Sequence, residues 1–202
     1  NIDGFDPNNF DYIEVKDRNL MDRWLISKLN ILIDNVNKNL DIYNITEATR
    51  SIEKFIDYLT NWYIRLNRKR FWKGEMDRDK ISAYFTLYET LLTISKLIAP
   101  FTPFIAEDIY QTLKKSNSKE SVHLEDYPVK DETKIDSELE KRMLFVIDIV
   151  ELGRAARKKA QIKVRQPLKK MYIYTLERED IKEFIDLIKN ELNVKEVEFI
   201  DD

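Results

Sequence analysis

A stretch of fourteen residues, NWYIRLNRKRFWKG at 61–74, combines five basic and four aromatic side chains without an acidic residue. Cations pair with phosphate groups, and a flat aromatic ring stacks on an unpaired base for about 1 to 3 kcal/mol. RNA with splayed bases is recognised through this combination. The segment therefore predicts contact with single-stranded or looped nucleic acid. A solvated basic face that ends in an aromatic residue is the alternative that the same spacing allows.

A second basic run occupies residues 154–170, which hold eight Lys and Arg residues and again no acid. The two runs take thirteen of the 34 basic residues, so 21 basic residues remain against 37 acidic ones. An acidic body with two basic patches can steer a polyanion to chosen places. If the preceding helix continues toward Pro167, four of these side chains project to one side: Arg154, Arg157, Lys158 and Arg165. A solvated charge run is again the alternative.

The sequence contains no pattern typical of a catalytic site. The single His123 lies in the loop sequence SVHLEDYP, and the chain has no Cys, so neither a nucleophile pair nor a zinc site is predicted. Glu107 and Asp108 are neighbours that diverge on a helix, which predicts surface charge. Three glycines are too few for a phosphate-cradling loop. We expect no catalytic residue, metal or cofactor in these 202 residues, and a structural hydrogen bond at His123.

Composition favours a soluble helical protein. Hydrophobic residues make up 43% of the chain, and three glycines and five prolines leave little material for the tight turns of sandwiches and barrels. With no cysteine and no run that resembles a signal peptide or a membrane span, we expect a cytoplasmic protein that does not bind membranes. The chain begins at Asn1 rather than Met, so we expect a piece of a longer protein.

Apolar periodicity predicts a mainly α fold, a helical bundle followed by a small α/β unit of βαβ type. The predicted helices cover residues 18–40, 44–72, 77–98, 102–113 and 135–162, with a crossing loop at 116–130. Their start signals are Asn44, Asp77 and the Thr102-Pro103 pair. MYIYTL, a short helix and VKEVEFI then form the βαβ-like unit.

The second predicted helix divides its side chains between two faces. At about 100° per residue, the core face comprises Ala48, Ile52, Phe55, Leu59, Trp62 and Leu66. Outside this face project Asn61, Arg65, Arg68, Lys69 and Trp72. This assignment assumes that the helix stays regular as far as Trp72, because a turn that ended near Arg68 would rotate Trp72 toward the core.

The order of the motifs resembles that of isoleucyl-tRNA synthetases, which are class I aminoacyl-tRNA synthetases. The matching segments are LMDRWLISKLN at 20–30, YNITEATRSIEKFIDYLTNWYIRLNRKRFWKG at 43–74, LIAPFTPFIAEDIY at 97–110, SVHLEDYP at 121–128 and ARKKAQIKVRQPL at 156–168. Valyl- and leucyl-tRNA synthetases share the DRW and Pro-Phe-Thr-Pro patterns, whereas the two basic segments are similar to the isoleucine type in particular. The HIGH and KMSKS signatures are missing, as expected for a region that follows the catalytic core.

The resemblance implies a linker from the catalytic core at 1–17, a helical anticodon-binding bundle at 18–130 and a C-terminal junction at 131–202. The parent enzyme would be an isoleucine–tRNA ligase that uses ATP and magnesium, and this part would hold the anticodon stem and loop of tRNA(Ile) beside the catalytic domain of the same chain. The implied loop contacts are Asn61, Arg65, Arg68, Lys69, Arg70 and Trp72. The implied stem contacts are Arg154, Arg157, Lys158 and Arg165.

Two other functions stay open from the sequence. One is the equivalent domain of a valyl-tRNA synthetase. The other is a noncatalytic helical scaffold, which would bind protein partners through an exposed apolar stripe.

Overall fold

The computed structural model of the protein describes residues 3–175 and 178–201, without the side chains of residues 179 and 180. Contacts divide the chain into two compact units, Asn1–Asp136 and Ser137–Asp202. The first unit is helical, and the second joins helices to a two-stranded parallel sheet. The predicted fold class, mainly α followed by a small α/β unit, is therefore confirmed.

The first unit is built from α1 (Leu20–Asp41), α2 (Ile45–Tyr58), α3 (Arg68–Phe71), α4 (Arg78–Ile98) and α5 (Pro103–Leu113). The first, third and fourth predicted helices are confirmed to within two residues at each end. The second is wrong in its continuity, because a π-helical segment, Leu59–Ile64, follows α2 and the helix is interrupted before α3.

Two of the predicted start signals act through their side chains. Asn44 Oδ1 accepts a hydrogen bond from the Glu47 amide (3.4 Å), and Asp77 Oδ1 accepts one from the Lys80 amide (2.8 Å). Thr102 makes no such bond, and Pro103 begins α5 instead, where its missing N–H costs nothing. Local sequence thus determines where these helices begin.

The main core of the first unit lies between α1, α2 and α4. The predicted core face of the second helix is buried from Ala48 to Trp62, while Leu66 is half-buried. Side chains buried from α1 and α4 include Trp24, Leu25, Leu29, Phe85 and Leu97. Trp24 packs edge-on against Tyr58, with ring centroids 6.1 Å apart, and so ties α1 to the end of α2.

The loop that follows α5 is fixed by two carboxylates. Glu107 accepts hydrogen bonds from Ser121 Oγ and the Val122 amide, both at 2.9 Å, so the prediction that it is mere surface charge is wrong. Glu125 accepts the Tyr110 hydroxyl at 2.5 Å and Lys96 Nζ at 2.9 Å. The SVHLEDYP motif therefore anchors its own loop onto α4 and α5. His123 within it is exposed, and its backbone N–H donates to Ser121 Oγ (3.2 Å).

The second unit contains α6 (Ser137–Lys159), β1 (Leu168–Tyr174), α7 (Arg178–Ile181), α8 (Ile185–Leu192) and β2 (Val194–Ile200). The strands pair in parallel from Leu168 opposite Val194 to Tyr174 opposite Ile200, which confirms the βαβ-like prediction. Gly153 lies within α6, where a Cβ atom would come within 2.4 Å of Leu192 Cδ1. The glycine thus permits the close approach of α6 and α8.

None of the helices in the described part of the chain is long and apolar enough to cross a membrane.

Candidate nucleic-acid interface

The backbone of the basic-aromatic segment changes from α to π geometry after Tyr58. In the segment Leu59–Ile64 the wider turn is visible at its end, where the Arg65 amide bonds to the carbonyl of Thr60, five residues earlier. The wider turn buries two consecutive aromatic residues, Trp62 and Tyr63, which are 7% and 0% exposed. The burial of Trp62 confirms its predicted place in the core, whereas a regular 3.6-residue period does not predict that of Tyr63.

The buried Tyr63 reaches a carboxylate on the neighbouring α1. Its hydroxyl donates to Asp22 Oδ1 at 2.7 Å, and Ser82 Oγ donates to Asp22 Oδ2 at 2.7 Å. Asp22 is fully buried. Burial and then the Asp22 carboxylate raise the pKa of Tyr63 well above its usual value. The acidic residue of the DRW motif is thus the centre of a buried polar cluster.

Arg70 completes this cluster, and its predicted place among the RNA contacts is wrong. The side chain is buried and all five of its N–H donors are used. Two go to the carboxylate of Asp22 at 2.7 and 2.8 Å, two to Asp79 and one to Asn67, each of these three at 2.9 Å. Burial opposes its charge, but Asp22 and Asp79 together outweigh burial and raise the pKa of Arg70. No donor is left for a phosphate.

The interruption of the helix at Asn67 determines where the following side chains lie. Both the backbone amide and the Nδ2 of Asn67 donate to the carbonyl of Tyr63, at 3.0 and 2.8 Å. The short helix α3 then starts afresh with Arg68 and ends before Trp72. The assumption of a regular helix is therefore wrong, yet Trp72 does not turn inward: its side chain is 78% exposed.

An open groove of about 700 Å³ lies beside Trp72. Its lining includes Arg68, Phe71 and Lys73 beside Trp72, and two residues of α4, Tyr84 and Leu87. A base that stacks on the exposed indole of Trp72 meets apolar walls and the cations Arg68 and Lys73, a combination suited to unpaired nucleotides.

A carboxylate closes one side of this groove. Asp3 accepts a hydrogen bond from the Tyr84 hydroxyl and an ion pair from Lys80 Nζ at 3.1 Å. The bond from Tyr84, and then the one from Lys80, lower the pKa of Asp3, so the carboxylate stays ionised. Burial, and then Asp3, raise the pKa of Tyr84 to about 12. These contacts fix the N-terminal segment against α4.

The other predicted loop contacts lie on the surface of the same unit. Asn61, Arg68 and Lys69 are exposed. Arg65 is half-buried, and its Nε donates to the carbonyl of Asn61 at 2.9 Å. Five of the six predicted loop contacts can therefore be reached from solvent, and Arg70 is the exception.

In the second basic run, the helix ends earlier than the prediction assumes. Helix α6 stops at Lys159, and Gln161 takes the left-handed conformation with φ of 56°. The amide of Gln161 bonds to the Lys158 carbonyl, and the Ile162 amide to the Arg157 carbonyl, which is the pattern of a Schellman cap. Arg165 lies beyond the helix and is exposed, so the prediction that it shares a helical face with Arg154 is wrong.

Arg157 is a second basic residue whose predicted role is wrong. It is buried, and its NH1 donates to the carbonyls of Lys163 and Gln166 at 3.1 and 3.0 Å. Its NH2 donates to the carbonyls of Leu192 and Asn193 at 2.6 and 3.2 Å. The guanidinium thus joins the end of α8 to the loop after α6, whereas an RNA contact requires an outward side chain.

The remaining predicted residues of this run differ in their surroundings. Arg154 is half-buried and forms an ion pair with Glu191 of α8. Lys158 is exposed. Of the four predicted stem contacts, Lys158 and Arg165 are thus the exposed ones.

Within residues 3–175 and 178–201, no group of three or more His, Cys, Asp or Glu side chains could hold a metal ion.

Comparison with known proteins places these features in context. Residues 22–173 match the family model described as the anticodon-binding domain of tRNA ligase. The chain is 49% identical over 201 residues to the isoleucine–tRNA ligase of Clostridium acetobutylicum and 50% identical to that of Clostridium novyi, with 98% of this chain and 19% of each relative covered. The isoleucine–tRNA ligase of Dehalococcoides mccartyi is 47% identical, with 96% and 20% covered. The chain thus spans about a fifth of the length of the curated relatives it matches.

Proposed function

The chain belongs to the anticodon-binding domain family of tRNA ligases, and from this premise we propose that it binds the anticodon stem and loop of tRNA(Ile) as part of an isoleucine–tRNA ligase. The curated relatives that match nearly its whole length are isoleucine–tRNA ligases. This support favours the isoleucine enzyme over the valyl alternative.

One observation carries the proposal: an indole that is 78% exposed stands beside Arg68 on an open groove. Removing the face of an exposed indole from water is favourable in free energy, and an unstacked base of an anticodon loop can stack on that face. Arg68 can pair with the adjoining phosphate. We assign base contact to Trp72 and to Asn61 or Arg65, whereas Lys69 supplies charge.

Buried arginines have a positioning role in this proposal. Arg70 holds α3 against Asp22, and so sets the direction in which Arg68, Lys69 and Trp72 leave the helix. Arg157 holds the loop that carries Arg165. Lys158 and Arg165 remain the proposed contacts with the RNA backbone in the second unit, and Arg154 contributes if it exchanges Glu191 for a phosphate.

The reaction itself belongs to other parts of the proposed parent protein. We infer that activation of isoleucine with ATP and magnesium takes place in the catalytic domain of the same chain, in the cytoplasm and away from membranes. In the described part of these 202 residues no metal-binding cluster is present. Their contribution is to hold and discriminate tRNA.

Filter binding of tRNA(Ile) and tRNA(Val) transcripts to the 202-residue chain at fixed salt tests the proposal. We expect tighter binding of tRNA(Ile), and a loss of that preference in Trp72→Ala. Preference for tRNA(Val) would favour the valyl alternative. No binding of either RNA at low salt would favour the protein scaffold.

A further inference from the structure

A third basic surface lies outside both basic runs, in an open groove of about 340 Å³ between α1 and α2. Three cations, Lys28, Arg50 and Lys54, line this groove, and Glu47 is its one acidic residue. The sequence does not reveal this group, because Lys28 lies more than twenty residues from the other two cations and Arg50 and Lys54 have acidic neighbours along the chain. Only the packing of α1 against α2 brings the three together, with a net charge of +2.

The cations of this groove are accessible to a ligand. Lys54 is exposed and makes no ion pair with any residue that the structure describes. Arg50 pairs with Glu47 at 2.8 Å, but both side chains are at least half exposed, and exposed pairs of this kind contribute at most about 1 kcal/mol. Lys28 Nζ lies 4.7 Å from the centre of the Tyr58 ring, which keeps the ammonium over the groove.

Helix α2, which lines the groove, continues into the π-helical segment that carries Asn61, one of the proposed loop contacts. Arg50, Lys54 and Tyr58 follow one another at steps of four residues, which places them on one side of α2, and Asn61 follows three residues later in the π-helical segment. At 1.5 Å per residue, Lys54 lies about 10 Å from Asn61 along the axis.

We propose that the α1–α2 groove binds the sugar–phosphate backbone of the RNA strand that flanks the anticodon loop. Flexible cations suit phosphates, and the Asn35 side-chain amide in the same groove can donate to a phosphate or ribose oxygen. The Ser51 hydroxyl donates to the Glu47 carbonyl at 2.8 Å, and its oxygen can accept from a ribose hydroxyl. The groove thereby supplies affinity and register, and base selection stays with Trp72. This inference rests on the proposed function, since it requires an RNA held at that residue.

The test is the salt dependence of tRNA(Ile) binding by Arg50→Ala/Lys54→Ala in the 202-residue chain. We expect an affinity loss of about two- to fivefold for each lost contact, and a slope of log K against log salt reduced by about two in total. Lys16→Ala is the matched control, because Lys16 is exposed and lies outside the groove. Its slope should equal that of the unmodified chain.

A loop-only oligonucleotide that lacks the flanking strand separates the two sites. The double variant should bind it like the unmodified chain, whereas Trp72→Ala should weaken it. An unchanged slope with full-length tRNA, or an equal loss with the loop-only RNA or with polyglutamate, would overturn the groove assignment and leave the proposed function standing. Absence of tRNA binding by the unmodified chain would overturn both.

Discussion

Arg70 and Asp22 are 48 residues apart in the chain and form a two-point ion pair, with N–O distances of 2.7 and 2.8 Å. The Asp22 side chain is fully buried, and that of Arg70 is 11% exposed. The pair therefore ties the short helix of the basic-aromatic segment to α1.

Loss of the Asp22 carboxylate should leave the buried Arg70 with Asp79 as its remaining carboxylate partner, and the Tyr63 and Ser82 hydroxyls without this acceptor. We expect Asp22→Ala to lower the free energy of unfolding by about 3 to 5 kcal/mol. Urea melts measure this value, with Asp57→Ala as the control at an exposed acid of α2. A loss below about 1 kcal/mol would show that the cluster does not stabilise the fold.

The core face of the second predicted helix gives a packing test. Leu59 and Trp62 are 3% and 7% exposed, so truncation leaves cavities. Leu59→Ala should cost about 2 to 5 kcal/mol and Trp62→Ala about 3 to 5. Ile56→Ala, at a side chain 40% exposed on the same helix, is the control and should cost less than either. If both substitutions lowered the free energy of unfolding only slightly in chemical denaturation, the burial of Leu59 and Trp62 in the core would be contradicted.

Trp72 should affect RNA discrimination with little change in stability. We expect Trp72→Ala or Arg65→Ala to lose about 1 to 3 kcal/mol of binding to tRNA(Ile), and much less to a transcript with an exchanged anticodon. Lys69→Ala should lower both affinities together. Phe104→Ala removes an aromatic ring that is 92% exposed on α5 and should change neither. Equal losses for both transcripts would mean that Trp72 only positions the loop.

Two neighbours at the end of α6 should give opposite phenotypes. Arg157→Ala leaves the carbonyls at the end of α8 without their donor, and we expect a loss of about 1 to 3 kcal/mol of stability. Lys158→Ala should leave the melt unchanged, weaken all tRNAs alike and reduce the salt slope by about one. An unchanged salt dependence of tRNA binding in Lys158→Ala would show that residues 154–165 are a solvated charged face and do not contact the RNA backbone.

Glu125 should make stability depend on acid pH. The hydrogen bond from Tyr110, and then that from Lys96, lower the pKa of Glu125 to about 2. An unfolded glutamate has a pKa of about 4.3. The stabilisation is therefore complete above that value and is lost as the pH falls toward 2.

Urea melts of Glu125→Gln at pH 6, 4 and 2.5 measure this effect. The variant should be less stable than the unmodified chain at pH 6, and the difference should shrink at the lower values. Glu53→Gln, at an exposed position of α2, provides the comparison. A difference that stays constant from pH 6 to 2.5 would contradict the lowered pKa.

The sequence by itself was sufficient for the bounds of α1, α4 and α5 to within two residues and for the core face of α2. The starts at Asn44 and Asp77 follow from side chains that bond to amides three residues away. The burial of Ala48, Ile52 and Phe55 follows from their spacing. Both features are local: a start depends on a side chain three residues from the amide that it caps, and the core face depends on the 3.6-residue period of the helix.

Only the tertiary structure decided which cations face outward. In the run Arg68-Lys69-Arg70 the first two are exposed and the third is buried, because Asp22 of α1 supplies a carboxylate from 48 residues away. The π-helical segment buries Tyr63 at a position that the 3.6-residue period does not predict. The packing of α1 on α2 places Lys28 and Lys54 in the same groove. Charge and periodicity in a sequence identify a basic segment, but the direction of each side chain depends on partners that are distant in the chain.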